Sequence, residues 1–340
     1  MNCDTPAGLA GEVDVSSLTP EAPQPVDCFS MPELPEVETI ARGLDRQVAG
    51  DRIESVWLGS KPEPLKSAAD EIAATLEQAR IAAVRRMGKH IVFDLEREQG
   101  PGQRMRAQGT TRPRRAARGE SARLRMGRGA GVDVNHGAWP AKAQWIVHLG
   151  MTGRLQVCAR ESELEKHTHA VLRLASGREL RFIDPRRFGR LSVLRDHEFA
   201  ATGIEPLEIE LERFTELFRT PKSPIKSALL NQNLLRGVGN IYADESLFRA
   251  GIRPRRRAAT LTRDQLRRLY LAVQEVLKEA IALGGSSISD YLDADGEEGF
   301  FQSQHRVYGR EGEPCLVCKS SIKRVLIAGR SSHYCPKCQK

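Results

Sequence analysis

The hydrophobic pattern divides the chain into a first helix, a series of short strands, and a helical second half. Apolar residues recur at helical spacing from Val37 to Val48, and Pro35 just before them suits a first helical turn. Short alternating runs separated by turn residues then predict strands. The predicted strands are 52–58, 81–86, 89–95, 144–148, 154–157, 169–174, 179–183 and 191–194. This order predicts one helix followed by an antiparallel β-sandwich.

The pattern becomes helical after about Pro206, with glycine breaks at Gly237, Gly239 and Gly251. The predicted helices are 214–218, 225–235, 241–250 and 262–283. A polar loop that contains glycine, 293–299, precedes the last segment. The second half therefore predicts a helical domain followed by a small C-terminal module.

Two segments lack periodic hydrophobicity. Residues 1–30 hold five acids and no Lys or Arg, which does not fit a signal peptide and predicts a disordered leader. Residues 97–143 contain eleven Arg or Lys and three acids, and they predict a disordered basic insertion between two strands. Such an insertion either adds non-specific phosphate affinity or is a solvated loop without a role, and the sequence leaves both open.

The net charge of +8 is concentrated in the insertion. That segment alone carries +8 (11 − 3), so the other residues balance at 41 basic and 41 acidic side chains. Charge alone is therefore weak evidence for nucleic-acid binding. The sequence contains no apolar run near 18 residues, and Cys3, Cys28 and Cys158 are scattered. We therefore expect no membrane span and a cytoplasmic location.

The cysteines near the C-terminus form two CxxC pairs, Cys315–Cys318 and Cys335–Cys338, with sixteen residues between the pairs. Two such pairs predict a closed tetrahedral zinc site across a β-hairpin, with a structural role because no ligand position stays open. Arg330 lies near the Gly-Arg-Ser-Ser turn of that hairpin. An arginine there either solubilises the turn or binds a phosphate.

Three further motifs contain residue types that suit contact with an anion or a base. Gly237 and Gly239 precede a helix, where backbone N–H groups can approach an anion, although a simple glycine-rich turn is the favoured reading of this motif alone. Arg186 and Phe188 stand in Asp-Pro-Arg-Arg-Phe-Gly, and Met151 stands in His-Leu-Gly-Met-Thr-Gly. Arginine can read a base edge and an apolar side chain can enter a base stack. Taken singly, Met151 and Phe188 are residue types found more often in a core than inserted into a base stack.

Five motifs in order resemble those of the bacterial formamidopyrimidine-DNA glycosylases. They are Met-Pro-Glu-Leu-Pro-Glu-Val-Glu-Thr from Met31, His-Leu-Gly-Met-Thr-Gly, Asp-Pro-Arg-Arg-Phe-Gly, Gly-Val-Gly-Asn-Ile-Tyr-Ala-Asp-Glu, and Val-Tyr-Gly-Arg-Glu-Gly-Glu-Pro-Cys. The resemblance covers 31–96 and 144–340. The related endonuclease VIII group typically begins Pro-Glu-Gly-Pro-Glu, so Leu34 and the run from Val37 favour the formamidopyrimidine branch.

The resemblance implies an α+β fold with three domains. Residues 31–205 would form a catalytic domain made of an N-terminal helix and an antiparallel β-sandwich, interrupted by the insertion. Residues 206–300 would form a helix–two-turn–helix DNA-binding domain, and 301–340 a β-hairpin zinc finger with one structural zinc. The implied partner is damaged double-stranded DNA, and the implied state is a monomer.

The implied activity is that of a bifunctional DNA glycosylase and AP lyase for oxidised purines such as 8-oxoguanine and formamidopyrimidines. Pro32 matches the nucleophile, Glu33 the acid, and Glu36 a supporting carboxylate. Lys89 matches a lysine that contacts phosphate and donates a proton in elimination, and Arg330 a residue that helps the last elimination.

The resemblance also implies a set of DNA contacts. Three residues would fill the void left by the extruded base, with Arg186 reading the orphaned cytosine. His148, Asn240 and Arg330 would contact backbone phosphates, and His167 would be another DNA-contact histidine. The implied DNA-binding residues are His148, Met151, His167, Arg186, Phe188 and Asn240. Loop 293–301 matches a segment that closes over the flipped base. Pro221 departs from the pattern, since many relatives have a basic residue there, and Arg219 and Lys222 are candidates to replace it.

Two alternatives stay open. One is an endonuclease VIII-like glycosylase that prefers oxidised pyrimidines. The other is an inactive zinc-finger DNA-binding protein, which follows if the leader stays attached and Pro32 keeps an amide nitrogen. Because an amide is not nucleophilic, we expect residues 1–31 to be absent from the active protein. Lesion ranking, opposite-base discrimination and the role of the insertion do not follow from the sequence.

Overall fold

Helix α1 (Leu34–Val48) is the first element of the computed structural model, which describes residues 31–97, 142–287 and 296–340. The predicted leader, most of the predicted insertion and loop residues 288–295 lie outside the described residues. The predictions made for them therefore stay predictions. None of the described helices combines the length and the apolar character that crossing a membrane requires.

Helix α1 joins two hydrophobic cores. Pro35 lies in its first turn, where a missing N–H costs nothing, and the Glu36 carboxylate accepts a hydrogen bond from Glu33 N at 2.9 Å. Val37 and later apolar residues of the helix pack in the core of the β-sandwich. Leu34, at the start of the helix, packs instead in the core of the helical part. The first turn of α1 therefore lies at the junction of the two parts.

Two four-stranded antiparallel sheets form the sandwich, with strand orders β1-β6-β7-β5 and β2-β3-β4-β8. The strands are β1 (Ile53–Leu58), β2 (Arg80–Met87), β3 (His90–Glu96), β4 (Lys142–His148), β5 (Arg154–Ala159), β6 (Thr168–Leu174), β7 (Arg178–Ile183) and β8 (Arg190–Arg195). Phe93, Trp145 and Phe182 fill the space between the sheets. The predicted sandwich is confirmed. Helix α2 (Ala69–Leu76) was not predicted, because its eight residues bury only two large apolar side chains.

The helical part contains α3 (Leu211–Arg219), α4 (Ile225–Leu229), α5 (Asn240–Ala250) and α6 (Arg263–Ala282). Helix α4 ends six residues before the predicted end at Leu235. The Gln232 side chain bonds the backbone of the following turn, accepting from Gly237 N at 2.8 Å and donating to Val238 O at 2.8 Å. These bonds, and the left-handed φ of +87° at Gly237, replace the helix that the apolar stripe predicted.

A buried ion pair connects the helical part to the C-terminal hairpin. Lys226 Nζ lies 2.7 Å from Asp244 Oδ1, and both side chains are fully buried. Lys226 also donates to Ser331 O at 2.5 Å, while Asp244 Oδ2 accepts from His333 N at 2.8 Å. Helices α4 and α5 therefore hold the second strand of the hairpin through two charged side chains.

The hairpin consists of β9 (Lys323–Ile327) and β10 (Arg330–Tyr334), so Arg330 begins a strand directly after the turn at Ala328 and Gly329. Beside it, the sulfur atoms of the four CxxC cysteines all lie within 4.8 Å of one another. A tetrahedral Zn²⁺ with Zn–S bonds of about 2.3 Å requires sulfurs about 3.8 Å apart. The Cys315–Cys338 and Cys318–Cys335 distances of 3.9 and 3.4 Å fit one structural zinc ion.

Candidate active site

A cavity of about 680 Å³ lies where the sandwich, the helical part and the hairpin meet. It brings together six of the predicted site residues, which come from positions up to 297 apart in the chain. These residues are Glu33, Lys89, Met151, Arg186, Asn240 and Arg330. His148 and Phe188 line a second cavity of about 340 Å³. His167 lines neither of these two cavities, and its carbonyl accepts a hydrogen bond from Asp184 N at 3.0 Å.

Glu33 and Glu36 form the inner end of the first cavity, which we call the floor. The Glu33 carboxylate lies at the N-terminus of α5, where its Oε1 accepts from Ile241 N at 3.1 Å. A Cβ atom on Gly239 would lie 2.2 Å from Glu33 Cδ, and one on Gly237 would lie 2.8 Å from Leu34 Cδ1. The two glycines therefore make room for the segment that follows Pro32. The anion at this helix N-terminus is the protein's own carboxylate.

The environment of Glu33 favours its protonated form. Burial raises the pKa of its carboxyl to about 7, against the opposing effect of the nearby Lys89 ammonium. Within the described residues, Glu33 Oε2 has no hydrogen-bond partner. A carboxyl with this pKa holds a proton in a large fraction of molecules at neutral pH, so Glu33 can act as a general acid.

Glu36 connects three parts of the floor. It accepts hydrogen bonds from Glu33 N at 2.9 Å, from Ser286 N at 2.7 Å and from the Tyr242 hydroxyl. Burial raises the pKa of its carboxyl. Ser286 is paired with Phe300, so the Glu36 carboxylate is also connected to the segment that contains Phe300. Sequence reasoning missed Ser286 and Tyr242, since the pattern marks Tyr242 only as a core position.

Two cations face the floor. Lys89 lies in the turn between β2 and β3, and burial lowers the pKa of its ammonium while Glu33 and Glu36 oppose that shift. Arg330 lies close enough to add to the lowering of the Lys89 pKa. Cations beside two carboxyls can bind a phosphate group and assist proton transfer near it.

Two loops, 149–153 and 184–189, form the outer end of the cavity, which we call the rim. The buried Asp184 carboxylate organises both loops, because it accepts from Thr152 Oγ1 at 2.6 Å, Arg186 N at 3.2 Å and Gly189 N at 2.7 Å. A Cβ atom on Gly150 would lie 2.6 Å from the Phe188 carbonyl carbon. The two loops are therefore in direct backbone contact. The sequence pattern gave Asp184 no role.

The side chains at the rim reach away from the core. Phe188 is 46% exposed and Met151 is half-buried. The Arg186 guanidinium lies 5.0 Å from the centre of the Phe188 ring, within the range of a cation–π contact. An apolar and an aromatic tip beside an arginine can insert into a base stack and contact an unpaired base.

His148 is a neutral hydrogen-bond donor at neutral pH. Burial, assisted by His90, Lys89 and Arg190, lowers the pKa of its imidazole to about 4. Its Nδ1 accepts from Gly150 N at 3.1 Å, so Nε2 carries the proton. Asn240, in contrast, donates from Nδ2 to Ser331 Oγ at 3.1 Å and is connected to the hairpin that carries Arg330.

Three family models match the chain in succession. The formamidopyrimidine-DNA glycosylase N-terminal domain matches residues 31–191, and the H2TH domain of the same family matches 202–291. The zinc finger found in FPG and IleRS matches 312–340. The last match and the four clustered sulfurs agree on one structural zinc.

Similar proteins match along most of the chain. The formamidopyrimidine-DNA glycosylase of Solibacter usitatus is 42% identical over 316 residues, which cover 91% of this chain and 100% of the relative. The crystal structure of MutM (Fpg) from Thermus thermophilus matches with a TM-score of 0.69 and 38% identity, over 91% of this chain and 98% of that one. The Lactococcus lactis Fpg complex with DNA that contains N7-benzyl-Fapy-dG matches with a TM-score of 0.73 and 28% identity, over 91% of this chain and 100% of that one.

Other complexes of the Lactococcus protein that match hold DNA with an abasic site and DNA with an oxidised pyrimidine. The motifs, the two-sheet sandwich, the cysteine cluster and these matches agree with one another. The chain belongs to the formamidopyrimidine-DNA glycosylase family.

Proposed function

We propose that this protein is a bifunctional DNA glycosylase and AP lyase of base excision repair, which removes oxidised purines such as 8-oxoguanine and formamidopyrimidines. One observation carries the proposal: Glu33, whose pKa burial raises to about 7, lies directly after Pro32 in a cavity with Lys89 and Arg330. A proton donor, a nucleophile and two cations are the groups that this chemistry requires.

The proposed nucleophile is the secondary amine of Pro32. Its nitrogen forms a bond to C1′ of the damaged nucleotide while the bond from C1′ to the base breaks, and the departing base takes the electron pair and the amine proton. The C1′–O4′ bond then opens, and the nitrogen lone pair forms the iminium Schiff base. An α-amino group titrates near about 8, so a useful neutral fraction exists at physiological pH. This step requires a chain that begins at Pro32. The N-terminal family model begins at residue 31, and 91% of this chain covers the whole of several relatives, which supports that start.

The other groups around the cavity take successive roles in the proposal. Glu33 donates its proton to the sugar ring oxygen as the ring opens. The iminium then acidifies the adjacent sugar proton, so that β- and δ-elimination cut the strand on both sides of the lesion. Lys89 contacts phosphate and donates a proton during elimination, and Arg330 assists the last elimination.

The lesion must leave the duplex before Pro32 can reach C1′, at a cost of a few kcal/mol. Met151 and Phe188 fill the space that the nucleotide leaves, and Arg186 contacts the unpaired base opposite it. His148, Asn240 and Arg330 contact backbone phosphates, and His167 is a further DNA contact. The proposal makes damaged double-stranded DNA the partner and places the protein in the bacterial cytoplasm, at the nucleoid.

Borohydride trapping tests the proposal. Protein that begins at Pro32 is incubated with an 8-oxoguanine:cytosine duplex and borohydride, and we expect a covalent protein–DNA adduct together with strand cleavage. Protein that retains residues 1–31 serves as the matched control and should give no adduct. If the processed protein also gives none, the enzyme proposal is wrong, and the inactive DNA-binding alternative gains support.

A second candidate substrate class is oxidised pyrimidines, because a matching Lactococcus Fpg structure holds DNA with an oxidised pyrimidine. Excision rates on 8-oxoguanine:cytosine and thymine-glycol duplexes, measured in single turnovers, separate the two. Faster excision of thymine glycol would replace the purine assignment.

A further inference from the structure

Four basic side chains form a row across the outer face of one sheet, next to the rim. The pairing registers align His90 with His148 and His148 with Arg190 across β3, β4 and β8. Residues 64–66 add a short parallel segment beyond β8, with Lys66 N donating to Leu191 O at 2.7 Å and Leu191 N donating to Pro64 O at 2.7 Å. Because Leu65 lies opposite Leu191, Lys66 lies opposite Ser192. The row therefore runs from His90 through His148 to Arg190 and reaches Lys66 diagonally, at the next strand position on the same face.

Strand alternation places this row on the solvent side of the sheet. Ile91, Val147 and Leu191, the neighbours of His90, His148 and Arg190, pack in the sandwich core, and Leu65 packs against it. Side chains alternate between the faces of a strand, so the four basic residues lie on the opposite face. They line the cavity of about 340 Å³ together with Phe188 and Phe199, and none of the described residues that line it is acidic.

The row carries positive charge that is available for a ligand. Within the described residues, the Lys66 side chain is exposed and forms no ion pair with a carboxylate, whereas the nearby Glu63 is paired with Arg187. Arg190 donates to Phe188 O and Gly189 O, which fixes its guanidinium beside the rim. His148, whose pKa burial lowers to about 4, adds one neutral donor through Nε2–H, while His90 is engaged with the Met87 backbone. Two cations beside a neutral donor suit phosphate oxygens.

We propose that Lys66 and Arg190 extend the DNA contact at His148 into a continuous subsite for the phosphodiester backbone beside the inserted Phe188. Adjacent strands lie about 4.8 Å apart, so the row spans about 14 Å, which is enough for more than one backbone phosphate. The subsite binds the backbone and reads no base. This inference rests on the proposed function, since it assumes a DNA duplex at the rim.

The salt dependence of binding to a duplex with a tetrahydrofuran abasic analogue tests the subsite without any bond cleavage. Each phosphate contact adds about 0.9 to the slope of log affinity against log salt. Lys66→Ala should therefore lower that slope by about 0.9. The ratio of its Kd to the wild-type Kd should fall about 3.5-fold between 50 and 200 mM salt. Lys142→Ala is the control, since this exposed lysine lies on the same sheet, six residues or about 20 Å along β4 from His148.

A second measurement locates the contact. Single methylphosphonate linkages, which lack the phosphate charge, are introduced along each strand of the same duplex. We expect one linkage near the lesion to lower the affinity of the wild-type protein for the duplex. The same linkage should not lower the affinity of Lys66→Ala any further. The subsite proposal is overturned if Lys66→Ala keeps the wild-type slope, if Lys142→Ala lowers it equally, or if no linkage couples to Lys66. Failure of the enzyme proposal is a separate result, seen as the absence of a trapped adduct with the wild-type protein.

Discussion

The floor and the rim of the cavity hold their functional groups in opposite ways. At the floor, Glu33 and Glu36 are each only 2% exposed. Their carboxyl groups accept hydrogen bonds from backbone N–H groups and from one hydroxyl. At the rim, a buried carboxylate holds the loop backbones, while the tip of Phe188 stays 46% exposed. Burial at the floor sets protonation states, and exposure at the rim leaves side chains available to DNA. Substitutions at the floor should therefore change chemistry, and those at the rim should change the cost of extruding a nucleotide.

The largest effect is expected for Glu33→Gln, which removes the acid and keeps its shape. General acid catalysis contributes about 10²- to 10⁴-fold, so the single-turnover excision rate should fall by that factor. The raised pKa of about 7 means that the protonated fraction of Glu33 declines as pH rises through that value. The neutral fraction of the Pro32 amine increases as pH rises through the amine pKa of about 8. Activity requires both forms, so the wild-type rate should peak midway between the two pKa values, near pH 7.5.

The shape of the pH profile separates Glu33 from a merely structural residue. In Glu33→Gln the decline on the alkaline side should disappear, because that limb reports the carboxyl proton. A variant that keeps the wild-type decline would assign the acid to another group.

The next effect concerns the ion pair beneath the floor. Lys226→Met leaves Asp244 buried without its cation, which should destabilise the fold by about 3–5 kcal/mol. Urea unfolding measures the change. Adding Asp244→Asn to this variant should recover part of the loss, because it removes the unpaired charge. If the losses of unfolding free energy in Lys226→Met and in Asp244→Asn simply add up to the loss in the double variant, the two side chains have no coupling energy.

Gly239→Ala tests how closely the floor is packed. The new Cβ would lie 2.2 Å from Glu33 Cδ, so the carboxyl must move, and a displacement of about 1 Å can cost about 10²-fold in rate. Affinity for an abasic-analogue duplex should change little. Gly59→Ala is the control, since its Cβ would meet nothing closer than 3.5 Å. Equal losses in both variants would point to a general effect of replacing glycine.

The smallest effect is expected at the rim. Asp184→Asn replaces one carboxylate oxygen with an NH₂ group. That group cannot accept the hydrogen bond that the oxygen accepts from Thr152 or Gly189, so both loops should become less well held. A lost buried hydrogen bond costs about 1–3 kcal/mol, and a cost near the lower end, about 1.4 kcal/mol, lowers excision from a duplex about tenfold. Excision of the same lesion from a gapped substrate, where the base is already unpaired, should be affected less. Equal losses on both substrates would place Asp184 in the chemistry.

Local patterns were sufficient to predict the strands and the zinc site. Strand alternation can be read within each segment. Two CxxC pairs supply the four thiolates that a tetrahedral metal site requires. The same rules predicted too long a helix at α4. The apolar stripe continues beyond Leu229, but the Gln232 side chain stabilises a turn there instead. They also missed α2, which is too short for a clear helical period.

The floor shows why the rest could not be predicted from pattern alone. The motif of Gly237 and Gly239 allowed either an anion site or, as the favoured reading, a simple glycine-rich turn. Gly239 instead lies against Glu33, which is 206 positions away in the chain. Lys226 and Asp244 looked like ordinary helix residues, and only the packing of α4, α5 and the hairpin buries them together. Such roles come from contacts between distant segments, and no local period encodes those contacts.

The division of α1 between two cores has a mechanical consequence. Leu34 packs with the helical core and Val37 with the sandwich core, so a rotation of one core against the other would have its axis near the first turn of α1. That axis lies one residue from Glu33 and two from Pro32. Any such rotation would move Pro32 and Glu33 relative to at least one of the two cores. The position of the reacting groups therefore depends on how the two cores pack against each other.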